Sequence, residues 1–217
     1  MGSKPEMTQL IEIDALVHQL EQMRDGRVLI GIAGAPGSGK STITRLIEER
    51  LNKAEAGSAA ILPMDGFHYD DMLLEALGRR GRKGAPDTFD VDGFRHILIR
   101  LQTNMEDNVA VPVFDRDIEI ARAGARLISQ TVRVVLVEGN YLLLRQSPWA
   151  MLKPLFHLTV MVEASIETLQ RRLTARWVDY RLPADEVVRR VEQNDMPNGR
   201  FVIAESIPAD YALDNNA

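Results

Sequence analysis

The segment Val28-Leu-Ile-Gly-Ile-Ala-Gly-Ala-Pro-Gly-Ser-Gly-Lys-Ser41 decides how this chain folds. Its first half is a continuous apolar run, which is typical of a parallel strand buried on both faces. Its second half, from Gly34 to Ser41, matches the pattern G-x-x-x-x-G-K-[ST] between a strand and a helix. Small residues let the backbone wrap an oxyanion, and amide N–H groups and the start of the next helix turn positive partial charge toward it. The segment therefore predicts a phosphate-binding loop.

We expect this loop to hold the phosphates of a nucleotide. Lys40 can reach the β- and γ-phosphates, and the Ser41 hydroxyl can hold Mg²⁺, which bridges the phosphates. The alternative is a glycine-rich turn that binds nothing. The predicted nucleotide-binding residues are Gly34, Ala35, Pro36, Gly37, Ser38, Gly39, Lys40, Ser41 and Thr42.

Short apolar runs alternate with helical patterns along the rest of the chain. Apolar runs similar to 28–33 occur at 60–64, 132–137 and 158–162. Apolar residues recur at helical spacing over 8–23, 41–54, 91–101 and 165–180. The first of these helices is predicted to end at Asp25-Gly26. Alternation of this kind predicts a parallel α/β fold.

The stretch from Asp70 to Asp90 interrupts this alternation. Glycines and a proline are interleaved there with four basic residues, which are Arg79, Arg80, Arg82 and Lys83. We predict a long exposed loop, because Gly and Pro break regular structure. Such a loop either contacts an anionic ligand or is a solvated excursion of the surface. The last four residues, 214–217, are predicted to be frayed.

Length, composition and charge narrow the class of protein. The 217 residues fit one domain over 1–217, with an N-terminal helix over about 8–24 and a core over about 27–206. Hydrophobic residues make up 45% of the chain, which is enough for a sizeable core. The net charge of −5 gives no overall attraction to nucleic acid or to an anionic membrane. The absence of Cys excludes disulfides and thiolate chemistry.

The chain also lacks a long apolar run and the pattern of a signal peptide at its start. We therefore expect a cytoplasmic protein that binds no nucleic acid and inserts into no membrane. The sequence leaves open whether two copies of the chain form a homodimer.

Two carboxylates directly follow predicted strands. Asp65 comes after 60–64, and Glu138 comes after 132–137. Ligands of open α/β sheets bind beyond the carboxyl ends of the strands, so both acids are candidate site residues. Either could accept a proton from an attacking hydroxyl or hold Mg²⁺, and either could instead cap a helix or turn. Spacing leaves the two roles open.

One histidine and two arginines are further candidates. His68 lies near Asp65 and could orient a substrate, or it could be a packing or turn residue. Arg172 and Arg176 are four residues apart, so they share a helix face and could clamp a transferred phosphoryl group. The alternative for both arginines is a solvated basic face.

Five segments together resemble a known family. In order, they are the phosphate loop, Asp65-Gly-Phe-His68, Arg82-Lys-Gly-Ala-Pro-Asp-Thr-Phe-Asp90, Pro112-Val-Phe-Asp115 and Glu138-Gly-Asn140. This series is similar to that of the P-loop kinases that include uridine kinase, phosphoribulokinase and bacterial pantothenate kinase. The resemblance covers about residues 28–206.

The resemblance implies a P-loop NTPase fold, with a five-stranded parallel sheet in the order 2-3-1-4-5, flanking helices and a helical lid. It implies transfer of the γ-phosphoryl group of ATP, with Mg²⁺, to a hydroxyl of a small metabolite. It assigns Asp65 as the base and Glu138 as the second acid, near the metal. Lys40, Arg172 and Arg176, the last two as the arginine pair of the lid, complete the implied catalytic set. The implied substrate-binding residues are Asp65, His68, Arg82, Asp87, Phe89 and Asp115.

Departures from the uridine kinase pattern bear on the acceptor. Gly84 stands where uridine kinases carry Asp, and Glu119 and Ala121 stand where they carry His and Arg. These differences argue against a nucleoside. The ending Asn194-Asp-Met-Pro-Asn198 is similar to short bacterial kinases of fructose transport systems, which implies a sugar such as fructose. Pantothenate or a nucleoside is the alternative acceptor.

Other classes of P-loop protein fit less well. A GTPase needs an N-K-x-D motif on a later strand, and Asn52-Lys-Ala-Glu55 lies at the end of the phosphate-loop helix. A transporter ATPase needs an L-S-G-G-Q segment, which the sequence lacks. A nucleotide-binding regulator without kinase activity is the alternative of another class.

Overall fold

The computed structural model describes residues 8–23 and 26–216, so Arg24 and Asp25 of the predicted first helix end lie outside the described residues. The strands are β1 (Gln9–Leu10), β2 (Val28–Ala33), β3 (Ala59–Pro63), β4 (Asn108–Asp115), β5 (Ile120–Ser129), β6 (Val134–Gly139), β7 (Leu158–Glu163) and β8 (Tyr211–Asp214). The helices are α1 (Ile13–Gln22), α2 (Lys40–Ala54), α3 (Asp71–Ala76), α4 (Val91–Thr103), α5 (Ile166–Asp179), α6 (Ala184–Arg190) and α7 (Met196–Glu205). Within the described residues, no helix is long and apolar enough to cross a membrane.

Six of these strands form one parallel sheet in the order β1-β8-β7-β2-β6-β3. If β2, β3, β6, β7 and β8 are numbered 1 to 5 in chain order, these five strands lie in the predicted order 2-3-1-4-5. The prediction of five strands is wrong by one, because β1 pairs with β8 and adds a sixth strand at the edge. All six residues of β2 are buried, which explains why its sequence is a continuous apolar run.

The N-terminal helix starts later than predicted. Helical spacing predicts a start at Thr8, but α1 begins at Ile13 because the two residues of β1 are extended. Backbone groups at the edge of β8 need hydrogen-bond partners, and β1 provides them. Ile11 N–H, for example, donates to the Ala212 carbonyl at 3.0 Å. Sheet pairing therefore overrides the helical pattern at this point.

The end of the chain belongs to the sheet, which corrects two predictions. Strand β8 lies beyond the predicted core limit at residue 206, and residues 214–216 are not frayed. Asn215 N–H donates to the Glu163 carbonyl of β7 at 2.9 Å. The apolar part of β8 is three residues long, which is too short to stand out in the sequence. Ala217 lies outside the described residues.

Helices cover both faces of the sheet. α1 and α2 pack on one face, and the fully buried residues there include Leu16, Leu20, Ile30, Ile32, Ile47 and Leu136. α4, α5 and α7 pack on the other face, and the fully buried residues there include Leu29, Phe94, Leu98, Val135, Leu169 and Val202. Burying each large apolar side chain stabilises the fold by about 1.5–3 kcal/mol. The carboxyl edge of the sheet thus lies on a rigid, two-sided core.

The segment 70–90 is not the continuous loop that was predicted. Residues Asp71–Ala76 form α3, because Asp70 caps the helix by accepting a hydrogen bond from Met72 N–H at 2.9 Å and Leu74 is buried. Two short 3-10 turns follow. The prediction that this segment is exposed is confirmed for residues 75–82, all of which are exposed.

The hairpin of β4 and β5 was not predicted. Alternation of Val109, Val111 and Val113 is the signal that could have indicated a strand. Val109 and Val111 are fully buried, while the turn of the hairpin is exposed. The hairpin packs on the turn that follows β3, which brings residues 115–119 beside the carboxyl edge of the sheet.

Candidate active site

The phosphate loop joins β2 to α2 at the carboxyl edge of the sheet. Gly37 and Gly39 have φ angles of +82° and +85°, which residues with side chains rarely adopt. A Cβ atom at Gly34 would lie 2.6 Å from Ser38 Oγ. The backbone itself therefore requires these glycines. α2 begins at Lys40, so the positive end of its dipole lies at the loop.

Ser41 and Glu138 form a pair of oxygen groups beside the loop. Ser41 Oγ donates to Glu138 Oε2 at 2.6 Å. The register of the sheet explains this contact, because Glu138 lies opposite Ile32, where β2 enters the loop. Burial lowers the pKa of the neighbouring Lys40 ammonium group, and the charges of Glu138 and Asp65 partly offset that effect.

Asp65 lies in a short 3-10 turn, Met64–Phe67, directly after β3. A Cβ atom at Gly66 would lie 2.6 Å from the Pro112 carbonyl oxygen, so glycine allows the turn to rest against β4. Arg116, in the turn of the hairpin, donates from Nη2 to Asp65 Oδ2 at 2.6 Å. No pattern in the sequence predicted this ion pair.

Charges around Asp65 keep it ionised. Burial alone raises the pKa of its carboxyl group, but the charges of His68 and Arg116 outweigh burial and hold the pKa below its usual value. Lys40 and Arg176 act in the same direction. Asp65 is therefore a carboxylate, able to accept a proton, at neutral pH.

His68 is a packing residue of the turn that also lines the cavity, and its role in orienting a substrate stays a prediction. Its Nδ1 lies 2.8 Å from the Asp65 carbonyl oxygen, which stabilises the turn. Its ring centroid lies 4.0 Å from that of Phe89 and 4.7 Å from that of Phe114. Burial lowers the pKa of His68, although Asp65 acts against this. The residue packs in the turn and also borders the site.

These groups border one cavity of about 430 Å³, a size typical of small-molecule sites. The predicted site residues that line it are Pro36, Lys40, Ser41, Asp65, His68, Phe89, Glu138 and Arg176. Arg80 and Lys83, from the basic segment that was predicted either to contact an anionic ligand or to be solvated, also line it. Lining residues outside the predicted set include Phe114, Arg116, Asn140, Trp177, Arg190, Asn194, Asp195 and Asn198. The remaining loop glycines, Ala35, Ser38 and Thr42 lie in or beside the phosphate loop.

Three predicted substrate-binding residues do not line this cavity. Arg82 Nη2 lies 3.2 Å from Asp87 Oδ1, so these two side chains pair with each other within segment 70–90. Asp115 Oδ2 accepts a hydrogen bond from Arg122 Nη1 at 3.0 Å within the β4–β5 hairpin. Each of these pairs therefore lies within its own segment and does not enter the cavity.

The two arginines of α5, Arg172 and Arg176, contact different parts of the site. Arg176 lines the cavity. Arg172 Nη1 donates to the Ser38 carbonyl at 3.2 Å and lies 3.5 Å from the Gly37 carbonyl oxygen. Arg172 therefore contacts the backbone of the phosphate loop, while Arg176 borders the cavity.

Lys83 connects three parts of the structure at the cavity wall. Its Nζ donates to Asp71 Oδ1 and to the Glu119 carbonyl, both at 2.6 Å. Its own carbonyl accepts a hydrogen bond from Asn194 Nδ2 at 3.3 Å. The side chain is 10% exposed, so this lysine is a structural link rather than part of a solvated basic loop.

The segment from α6 to α7 carries cavity-lining residues that helical periodicity did not identify. A π-helical turn, Val191–Asp195, lies between α6 and α7, and such turns are frequent at functional sites. Trp177 Nε1 donates to Asp195 Oδ2 at 2.6 Å. The guanidinium carbon of Arg190 lies 4.6 Å from the ring centroid of Trp177. These contacts pack α5 against the segment from α6 to α7 at the cavity.

Arg116→Gln is expected to shift the acid limb of the pH profile of kcat/KM toward higher pH. The arginine charge lowers the pKa of Asp65, so its removal raises that pKa and protonates more of this carboxylate, which the resemblance implies is the base, at a given acid pH. The measurement is acceptor-stimulated ADP release as a function of pH. Arg122→Gln, on the same hairpin but paired with Asp115, should leave the limb unchanged. A shift toward lower pH, or equal shifts in both variants, would contradict the expectation.

The strand order 2-3-1-4-5, the phosphate loop between β2 and α2, and a carboxylate at the end of β6 define a P-loop kinase fold. The chain belongs to the phosphoribulokinase / uridine kinase family, whose family model matches residues 29–199. The resemblance inferred from the sequence is thereby confirmed, and the family implies a small-molecule kinase that uses ATP. The match ends before β8.

Similar proteins agree with this family. A Schizosaccharomyces pombe protein provisionally named a uridine kinase is 34% identical over 86% of this chain and 83% of its own. The pantothenate kinase of Enterococcus faecalis is 27% identical over 66% of this chain and 47% of its own, so this chain spans about half of that enzyme. A Silicibacter sp. TM1040 crystal structure, provisionally assigned as a fructose transport system kinase, is 39% identical, with a TM-score of 0.86 over 93% of this chain and 98% of the other.

Proposed function

We propose that this kinase transfers the γ-phosphoryl group of ATP, with Mg²⁺, to a hydroxyl group of a small polar metabolite, foremost a sugar such as fructose. The observation that carries the proposal is that the phosphate loop, the Ser41–Glu138 pair and Asp65 border a single cavity. A phosphate site, a metal site and a base are the parts that phosphoryl transfer from ATP requires.

The proposed step follows from the positions of these residues. The loop amides and Lys40 hold the phosphates and offset the charge that develops on them. Asp65 accepts the proton of the acceptor hydroxyl while the hydroxyl oxygen bonds to the γ-phosphorus. The bond from that phosphorus to the bridging oxygen breaks, and ADP leaves with the electron pair. Arg176 stabilises the charge on the transferred group.

Ser41 and Glu138 fit a Mg²⁺ site. They supply a hydroxyl and a carboxylate oxygen, the ligand types that Mg²⁺ prefers. Among residues 8–23 and 26–216, no group of three or more His, Cys, Asp or Glu side chains could hold a metal ion. One or two protein ligands suffice for Mg²⁺ when phosphates and waters supply the rest. Bound Mg²⁺ neutralises phosphate charge.

The polar wall of the cavity supports a hydroxyl-rich acceptor. Asn140 Oδ1 is buried, and no hydrogen-bond partner for it exists in the described part of the chain. Asn194 and Asn198 add further amide groups. A sugar can satisfy such groups, whereas an acceptor that leaves them unpaired binds less well. Gly84 and Glu119, the departures from the uridine kinase pattern, both line this cavity. The name of the Silicibacter protein supports the same class of acceptor.

A coupled ADP-release assay with Mg²⁺ tests the acceptor. We expect fructose, or failing that pantothenate, to exceed uridine and cytidine by about 10²-fold or more in kcat/KM, because unpaired polar groups penalise the wrong ligand. The four compounds are compared at equal concentrations, with the Lys40→Ala variant as the background.

Each other outcome points to a different function. A first rank for uridine would contradict the argument from Gly84 and Glu119. ATP consumption that needs no acceptor would indicate a motor or switch. Nucleotide binding without consumption under any condition would favour the alternative of a nucleotide-binding regulator.

A further inference from the structure

We propose that Asn215 is a positioning residue for ATP binding, because its side chain hydrogen-bonds to the backbone of the phosphate loop and does not itself line the cavity. Asn215 Nδ2 donates to the Ser38 carbonyl at 2.7 Å. The two residues are 177 positions apart in the chain, and no local motif brings them together. The inference rests on the proposed function in one respect, which is that the loop binds the phosphates of ATP.

The geometry of a trans peptide explains how this contact acts on the loop. The Ser38 carbonyl and the Gly39 N–H belong to one planar peptide group and point in opposite directions. A hydrogen bond that fixes the carbonyl therefore fixes the direction of the Gly39 N–H. Backbone N–H groups of the loop are the groups that bind phosphate. Asn215 thus orients a phosphate-binding donor without contacting the ligand.

Three further observations show that the contact is built into the fold. Asn215 N–H donates to the Glu163 carbonyl at 2.9 Å, which fixes the residue to the end of β7. A Cβ atom at Gly39 would lie 2.3 Å from Asn215 Nδ2, so the amide occupies the space that a side chain at that position would need. Arg172 donates to the same Ser38 carbonyl, so helix α5 and the end of the chain hold one peptide group together.

The neighbouring asparagine provides a matched control. Asn216 follows Asn215 directly, but its Oδ1 accepts a hydrogen bond from Ser165 N–H at 2.7 Å. Its side chain therefore ties the same segment to the start of α5 and not to the phosphate loop. An Asn216→Ala variant loses an amide of equal size from the same segment.

Calorimetric titration with ATP and with inorganic tripolyphosphate tests the proposal. Asn215→Ala should weaken the binding of both ligands by about five- to tenfold, since one hydrogen bond is lost and Arg172 retains its own. Asn216→Ala should bind both ligands as the wild type does. The KM for the acceptor that the panel identifies should not change in either variant. Thermal unfolding without ligand shows that each variant is folded at the temperature of the titration.

Tripolyphosphate separates this role from a contact with the adenine base. Equal losses for ATP and tripolyphosphate support positioning of the loop, whereas a loss for ATP alone would overturn it. If Asn215→Ala does not fold, Asn215→Leu keeps about the size of the side chain, removes the donor and adds no charge beside the phosphates, and it should show the same paired loss. Wild-type affinities in either variant would overturn the role of Asn215. A wild-type protein that binds neither ligand would overturn the proposed function itself.

Discussion

Lys40→Ala is expected to lower kcat/KM for ATP by about 10²- to 10³-fold while the protein stays folded. Lys40 supplies an ammonium group where the developing phosphate charge is expected, and an alanine cannot replace it. The residue begins α2 and is not part of either apolar cluster, so its loss removes little packing. Alanine is also a favourable helix residue. The measurements are acceptor-stimulated ADP release and thermal unfolding.

Lys53→Ala is the matched control for this variant. Lys53 lies in the last turn of the same helix and is exposed, so its removal changes the net charge equally, far from the loop. We expect normal turnover in that variant. Normal turnover in Lys40→Ala as well would remove the basis for placing the nucleotide at this loop.

Asp65→Asn is expected to retain ATP binding and to lose roughly 10²- to 10⁴-fold in kcat, the usual contribution of a positioned general base. Asparagine has the same size as aspartate but cannot accept the proton of the acceptor hydroxyl. Turnover at saturating ATP and acceptor measures the loss, and calorimetric titration measures ATP binding. Asp117→Asn, an exposed carboxylate beside Arg116, is the control and should be near wild type.

Glu138→Gln distinguishes the two carboxylates. This substitution should raise the Mg²⁺ concentration needed for half-maximal turnover, because the glutamine amide replaces a charged ligand oxygen. Asp65→Asn should leave that concentration unchanged. A larger loss of kcat in Glu138→Gln, with Asp65→Asn close to wild type, would reverse the roles proposed for the two acids.

Local sequence patterns predicted the centre of the fold well. The apolar run of β2, the glycines of the loop and the helix after it lie within one short segment, so steric rules and hydrophobic periodicity act on neighbouring residues. Asp65 and Glu138 could be found for a related reason, because each directly follows an apolar strand. The same reasoning failed where tertiary pairing opposes a local pattern, as in β1, whose residues continue a helical spacing but pair with β8.

Contacts between distant segments could not be predicted. Arg116 forms an ion pair with Asp65, although the two residues are 51 positions apart in the sequence. The contact exists because the β4–β5 hairpin packs on the turn after β3. Arg82, Asp87 and Asp115 matched the family motifs, yet the structure pairs Arg82 with Asp87 and Asp115 with Arg122, and none of the three predicted residues lines the cavity. A motif specifies which residues are present, but the partner of a charged side chain depends on which segments the fold brings together.

The sequence alone determined the phosphate loop, the parallel α/β architecture and the family, because these depend on residue order within short segments. The tertiary structure alone decided the surroundings of the site. It placed Arg116 on the proposed base, made Lys83 a link between the cavity wall and the segment from α6 to α7, and brought Asn215 to the phosphate loop. The physical reason is that hydrogen bonds and ion pairs act over a few ångströms in space, and separation along the chain does not reveal which groups come that close.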